Sequence, residues 1–199
     1  MARPRAFDPE QAVAAALDTF WSRGYEGTSI GDLEAATGLN RSSLYQAFGS
    51  KRRLFDAAVE RYVAEHVEPA LAALESPGAG RPELLGYLQT LAASFRAEPR
   101  LAVRGCLLVN TMAELSAHDA AAQALVSAYR QRVTSALENT LRGMTGHDRI
   151  TAEQAPVRAR VLCATIMGAL VTAHADPESA AAVCDALARD VRHADAPGG

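Results

Sequence analysis

The chain has 199 residues, 49% of them hydrophobic and 22% charged, with a formal net charge of −3. That length fits one large domain or two small ones, and that apolar fraction excludes a disordered linker protein. Alanine fills 42 positions and loses no side-chain entropy in a helix, so the composition favours an all-helical chain.

Asp8-Pro9 opens a first helix, with Asp8 as cap and Pro9 in the first turn. Val13, Leu17 and Phe20 then recur at helical spacing until Gly24. Thr28-Ser29 opens a short second helix, with Ile30 and Leu33 on its inner face. Gly38 interrupts it at a position suited to the left-handed conformation that turns a chain sharply. Asn40 caps a third short helix through about Ala47. Gly49-Ser50 breaks that one, and Ser50 caps a long fourth helix carrying Leu54, Val59, Tyr62 and Val63. After the loop Pro77-Gly78-Ala79-Gly80, helical patterns are predicted at about 82–97, 104–117, 119–144, 152–174 and 177–192. Thr151 and Gln154 have capping-box spacing, and Asp176-Pro177 pairs a cap with a first-turn proline. No segment reads as a strand long enough to build a sheet.

The longest uncharged apolar stretch, Val161–Ala175, is 15 residues, short of the roughly 18 to 20 that a membrane span needs. No apolar signal core follows Met1-Ala2-Arg3-Pro4-Arg5, so a cytoplasmic protein without membrane association is expected. Cys106, Cys163 and Cys184 are odd in number and lack CxxC spacing, which fits neither a disulfide framework nor a zinc ribbon. The five histidines show no paired ligand spacing, so no metal is predicted. No phosphate loop, nucleophilic triad or close carboxylate pair anchors catalysis, and no cofactor is expected.

Two short helices joined by a glycine turn, with a first helix across them, form a helix-turn-helix. With Leu44 taken as the inward reference and about 100° per residue, Phe48 also points inward. Ser42 and Gln46 point directly away, and Arg41, Ser43 and Tyr45 lie on the flanks. Such a compact polar face suits base-edge reading in a major groove about 12 Å wide. Backbone N–H groups at the helix starts after Thr28 and Ser50 attract phosphate. Lys51 is the sole lysine, and it sits where a helix dipole disfavours a cation unless a phosphate is near. The Tyr45 hydroxyl can donate to phosphate, and Arg3 and Arg5 can reach a minor groove from a flexible arm. Residues 1–55 carry net +1 and the remainder net −4. Charge alone therefore does not establish nucleic-acid binding.

Gly24-Tyr25-Glu26-Gly27-Thr28-Ser29-Ile30, Thr37-Gly38-Leu39, Ser43-Leu44-Tyr45, Phe48, Ser50-Lys51 and Leu54-Phe55 resemble the TetR family of transcriptional regulators in order and spacing. The motifs that carry the resemblance run from Gly24 to Phe55. It implies a helix-turn-helix DNA-binding domain at residues 1–50 and a larger helical ligand-binding and dimerisation domain at 51–199. Carried over residue by residue, it puts Arg41, Ser42, Ser43, Tyr45 and Gln46 against DNA, with Thr28 and Lys51 on phosphates. It further implies a homodimer through the helices at about 152–174 and 177–192, bound to a double-stranded operator. A small-molecule effector would occupy the middle helices and tilt the long fourth helix. Trp21 is bulkier than the small residue the family pattern suggests at that point.

Arg104-Gly105-Cys106-Leu107, followed by Ala113-Glu114-Leu115, is similar to a branch of the same family. Some members of that branch sense oxidants or electrophiles through this cysteine, by thiolate chemistry. The bland alternative is a small buried apolar residue. Phe95, Cys106, Asn110, Tyr129, Met167 and His174 are the pocket candidates, as polar or adaptable members of apolar helical faces. The expected function is a ligand-responsive repressor released from a palindromic operator by an inducer. An activator or ligand-independent regulator, and a helical enzyme on the same fold, remain the alternatives.

Overall fold

In the computed structural model, residues 7–115, 117–144, 150–151 and 153–193 are described, and among them every regular element is a helix. The chain divides into two compact units, Met1–Val67 and Glu68–Gly199.

The first unit holds α1 (Pro9–Arg23), α2 (Ile30–Thr37), α3 (Arg41–Phe48), α4 (Lys51–Tyr62) and a π-helical turn, Val63–Val67. Side chains start each α-helix. Asp8 accepts from the Glu10 N–H at 2.9 Å, and Ser29 and Asp32 form a reciprocal capping box. Asn40 accepts from the Ser43 N–H at 2.9 Å, and Ser50 from the Arg53 N–H at 3.1 Å. The glycine between α2 and α3, Gly38, has φ 69° and ψ 9°, the left-handed turn expected of it. Helix α1 packs across α2 and α4, and α3 leans on both α2 and α4. Phe20, Leu33, Leu44, Leu54 and Phe55 are buried between them. Trp21 finds its place at the unit's edge, with ring centroids 5.0 Å from both Tyr62 and His66. The unit ends at Val67, beyond the 50/51 boundary read from sequence, because α4 buries Leu54, Phe55, Ala58 and Val59 against this core.

The second unit holds α5 (Glu68–Glu75), α6 (Arg81–Ala97), α7 (Pro99–Ala102), α8 (Leu107–Leu115), α9 (Ala120–Gly143), α10 (Gln154–Thr172) and α11 (Pro177–His193). The single long fourth helix expected from sequence is therefore two α-helices with the π turn between them. The segment expected at 104–117 begins at Leu107, after a turn through Gly105. Thr151 and Gln154 make their predicted reciprocal bonds, both at 3.2 Å. Asp176 accepts from the Ser179 N–H at 3.0 Å. Helix α6 runs along α11, while α10 packs on both α9 and α11. Ala92, Ala169, Ala173, Ala180 and Ala181 surround Phe95 and Cys184, and these small side chains let the helices approach closely. Arg96 ties α6 to Glu178 and Asp185 of α11 at 2.9 and 2.8 Å.

Among the described residues, α10 is the one helix long and apolar enough to cross a membrane. It carries Arg158 and Arg160, and it buries Ala159, Cys163, Ile166 and Met167 within this unit. That is the pattern of a bundle helix with a second apolar face.

Candidate nucleic-acid interface

Helix α3 separates its faces as the rotation argument requires. Leu44 is buried, while Arg41, Ser42, Tyr45 and Gln46 are exposed and Ser43 is half-buried. The Arg41 guanidinium lies 5.7 Å from the Tyr45 ring centroid, close enough for a cation–π contact that pairs the two flanking groups. Phe48 is half-buried against Phe7, centroids 6.4 Å apart. A short helix needs its end groups satisfied, since it has few internal bonds to spare. Besides the Asn40 cap, the Glu34 carboxylate of α2 accepts from the Arg41 N–H at 2.6 Å. Thr37 donates its hydroxyl to the Leu33 carbonyl at 2.7 Å and accepts from the Leu39 N–H at 3.2 Å. The glycine turn is thus braced on both sides, and α3 is held at a fixed angle to α2.

Lys51 begins α4. Its ammonium stands 4.3 Å from the centroid of the Tyr25 ring, which lies in the α1–α2 connection. Arg52 instead bonds Asp56 one turn later at 2.8 Å. Arg3 and Arg5, expected to reach a minor groove, lie outside the described residues.

Thr28 requires a correction. Its side chain is fully buried and its hydroxyl donates to the Gly24 carbonyl at 2.6 Å. The hydroxyl is spent inside the fold, so it cannot hold a phosphate. The Asp32 carboxylate also occupies the start of α2, accepting from the Ser29 N–H and hydroxyl at 2.9 and 2.6 Å. Those bonds, with Arg23 nearby, hold the Asp32 carboxyl below its ordinary range.

Sequence reasoning missed Glu34 and Tyr25. Each meets a residue seven or more positions away, and although Tyr25 stands within the motif that carries the resemblance, no local pattern pairs it with Lys51 or Glu34 with Arg41. Only the assembled helix-turn-helix brings Glu34 to the start of α3.

In the second unit, the Asn110 N–H donates to the Cys106 carbonyl at 2.9 Å, which links two of the six pocket candidates one turn apart on the chain. The Cys106 sulfur lies 3.7 Å from the Tyr129 hydroxyl. His174 Nε2 is 2.9 Å from Asn110 Oδ1, and its Nδ1 is 2.8 Å from the Val103 carbonyl. Phe95 belongs to the alanine-rich core, and Met167 is buried on α10. Burial holds the Tyr87 phenol above its usual range, with Cys106, Cys184 and Cys163 near enough to add to the shift. Burial likewise pushes the Cys184 thiol up to about 11. A cavity of about 280 Å³ lies elsewhere, lined by Leu141, Met144, Val157, Val161, Leu187 and Val191 among others. None of the six candidates lines it.

The family model described as bacterial regulatory proteins, tetR family, matches residues 12–58, which take in α1 to most of α4. The chain is 33% identical over 119 residues to the uncharacterized HTH-type transcriptional regulator YezE of Bacillus subtilis (strain 168). That similarity covers 60% of each chain. It is 34% identical over 118 residues to the HTH-type transcriptional repressor ComR of Escherichia coli (strain K12), covering 57% of this chain and 54% of that one. The chain thus spans less than two thirds of the length of these curated relatives. A solved structure covers far more: a cysteine-substituted variant of the TetR family transcriptional regulator CifR, complexed with 26-base-pair double-strand operator DNA. It matches 94% of this chain and 98% of that one at 30% identity, with a TM-score of 0.77. With the braced helix-turn-helix in the matched segment and the all-helical second unit shared along the chain, the protein belongs to the TetR family of transcriptional regulators.

Proposed function

We propose that the protein is a cytoplasmic, homodimeric repressor, released from a palindromic operator by a small-molecule effector. The observation that carries this reading is the face of α3. Arg41, Ser42, Tyr45 and Gln46 point to solvent from a helix whose N-terminus is capped twice. Paired on a dimer, two such helices about 34–36 Å apart would read half-sites one helical turn apart. ComR is a repressor by its name, and the CifR variant was solved on operator DNA. Both support the same role here.

Helices α10 and α11 are the proposed dimer surface. Val157, Val161, Ala164, Gly168 and Val171 are all exposed and recur along α10 at alternating spacings of four and three. That repeat suits a close helix–helix seam. The cavity beside Val157 and Val161 continues this apolar surface, and a second copy would fill it. Effector binding in the second unit would release DNA by favouring a dimer whose reading helices mismatch the operator spacing. A differential affinity of about 1–3 kcal/mol changes DNA affinity about 5- to 150-fold.

A second reading makes Cys106 the trigger, by oxidation or alkylation. The Tyr129 hydroxyl beside its sulfur favours it, because adding an atom to that sulfur would break the contact. Footprinting on the DNA upstream of the protein's own gene tests the main reading. We expect a two-fold symmetric footprint for the native protein and relaxed base preference within each half-site for Gln46→Ala. No footprint, or one that Gln46→Ala leaves unaltered, would remove the assignment of α3. Release by an electrophile that vanishes in Cys106→Ser would establish the second reading.

A further inference from the structure

We propose that Tyr25 is a positioning residue for DNA binding: its ring face holds the Lys51 ammonium ready for a phosphate. The inference rests on the reading of Lys51 as a phosphate contact and adds the group that aims it.

Lys51 is the first residue of α4, where the helix dipole repels a cation. Its ammonium nevertheless lies 4.3 Å from the Tyr25 ring centroid, over the negative face of the ring. That ring is itself fixed. It stacks on Phe20, with centroids 6.1 Å apart and planes at 19°. It also meets Phe55 edge-on at 5.0 Å, and Phe20 and Phe55 meet each other at 5.1 Å. The turn carrying Tyr25 is equally constrained. The Thr28 N–H donates to the Tyr25 carbonyl at 3.3 Å, and the buried Thr28 hydroxyl donates to Gly24. A side chain on Gly27 would collide with the Arg23 carbonyl oxygen, so this turn tolerates little beyond glycine there.

A free lysine side chain loses several rotatable bonds of freedom when it meets a phosphate. Here much of that freedom is already lost in the unbound protein. The ring face is a weak partner that still leaves the ammonium's N–H donors for an anion. Thr28 thereby regains a part in DNA binding, through the turn that presents Tyr25.

Because phosphate contact is independent of sequence, the test uses a fluorescein-labelled duplex of mixed sequence, titrated at several salt concentrations by anisotropy. Four full-length proteins form a double-mutant cycle: native, Tyr25→Leu, Lys51→Ala and the double variant. We expect Lys51→Ala to lower the salt slope by about one unit. Tyr25→Leu should weaken binding roughly two- to five-fold in the native background and leave it unchanged in the Lys51→Ala background. Tyr25→Phe, which keeps the ring face, should match the native protein. An equal loss from Tyr25→Leu in both backgrounds would mean a purely structural role and overturn the proposal. So would undiminished affinity in Tyr25→Leu while Lys51→Ala loses its slope. An unchanged slope in Lys51→Ala would remove the phosphate reading itself. Should Tyr25→Leu fold poorly, pentafluorophenylalanine at position 25 keeps the shape and removes the negative ring face. It should reproduce the loss, and native-like binding by that protein would equally overturn the proposal.

Discussion

Gly105 sits at φ 59°, in the left-handed region that side chains disfavour. A Cβ there would lie 2.5 Å from His174 Nε2 and 3.1 Å from the Leu170 carbonyl oxygen. His174 meets the Val103 carbonyl and Asn110, whose amide in turn donates to the Arg104 carbonyl at 2.9 Å. These bonds fasten the turn before α8 to the end of α10. Gly105→Ala should therefore destabilise the protein by about 1–3 kcal/mol, read as a lower midpoint in urea. Glu75 supplies a pH test. Arg132 bonds its two carboxylate oxygens at 2.6 and 2.9 Å and holds the carboxyl below its ordinary 4.5. A carboxylate lowered in the folded state stabilises above its unfolded value and loses that contribution as pH falls through the folded one. Native protein should thus exceed Glu75→Gln in stability at pH 7, and the gap should close as pH drops below about 4.5. Equal stability of the two at pH 7 would contradict this. Residue roles were legible where a side chain acts on its own turn, as Asn40 and Ser50 do. For Thr28, carry-over from a resemblance gives a residue's place in a motif but not whether its hydroxyl is already bonded inside, as it is to the Gly24 carbonyl.

Helix starts and stops were the clearest elements to read, because caps and glycines act within four residues. Asp8, Ser29, Asn40 and Ser50 each sit where the sequence places a cap. The four residues of α7 offered no period to detect. The π turn at Val63–Val67 keeps the apolar pattern of a helix and so hides in it. Helix α3 depends on its caps, since its eight residues bury only Leu44 well. Asn40→Ala should cost about 1 kcal/mol and weaken DNA binding, as α3 loses its fixed start. Hydrogen exchange would show the loss as faster amide exchange in α3, with α1 little changed. Unchanged exchange in α3 would contradict the dependence on that cap. The pocket candidates were the least legible part. Periodicity finds an apolar face, but a cavity requires several faces converging from distant segments. The fold brings Cys106 to Tyr129 and Asn110 to His174, and places Phe95 in the alanine-rich core.

At the scale of the molecule, the proposed function needs both the outer face of α3 and the exposed stripe of α10. In the proposed function a single α3 would meet too few base pairs to select an operator, and two would be useful only at a fixed separation. The exposed stripe of α10 is the proposed means of fixing it. The stripe alternates its spacing along five exposed positions, so one charge in it should disrupt the whole seam. Sedimentation of native protein and Val161→Glu, each with and without duplex DNA from upstream of the protein's own gene, tests this most directly. We expect a native dimer that binds the duplex with strong salt dependence. We expect Val161→Glu to be a folded monomer that has lost operator affinity by at least about tenfold. A native monomer, or a monomeric Val161→Glu that binds the duplex as tightly as the native protein, would contradict the proposed dimer.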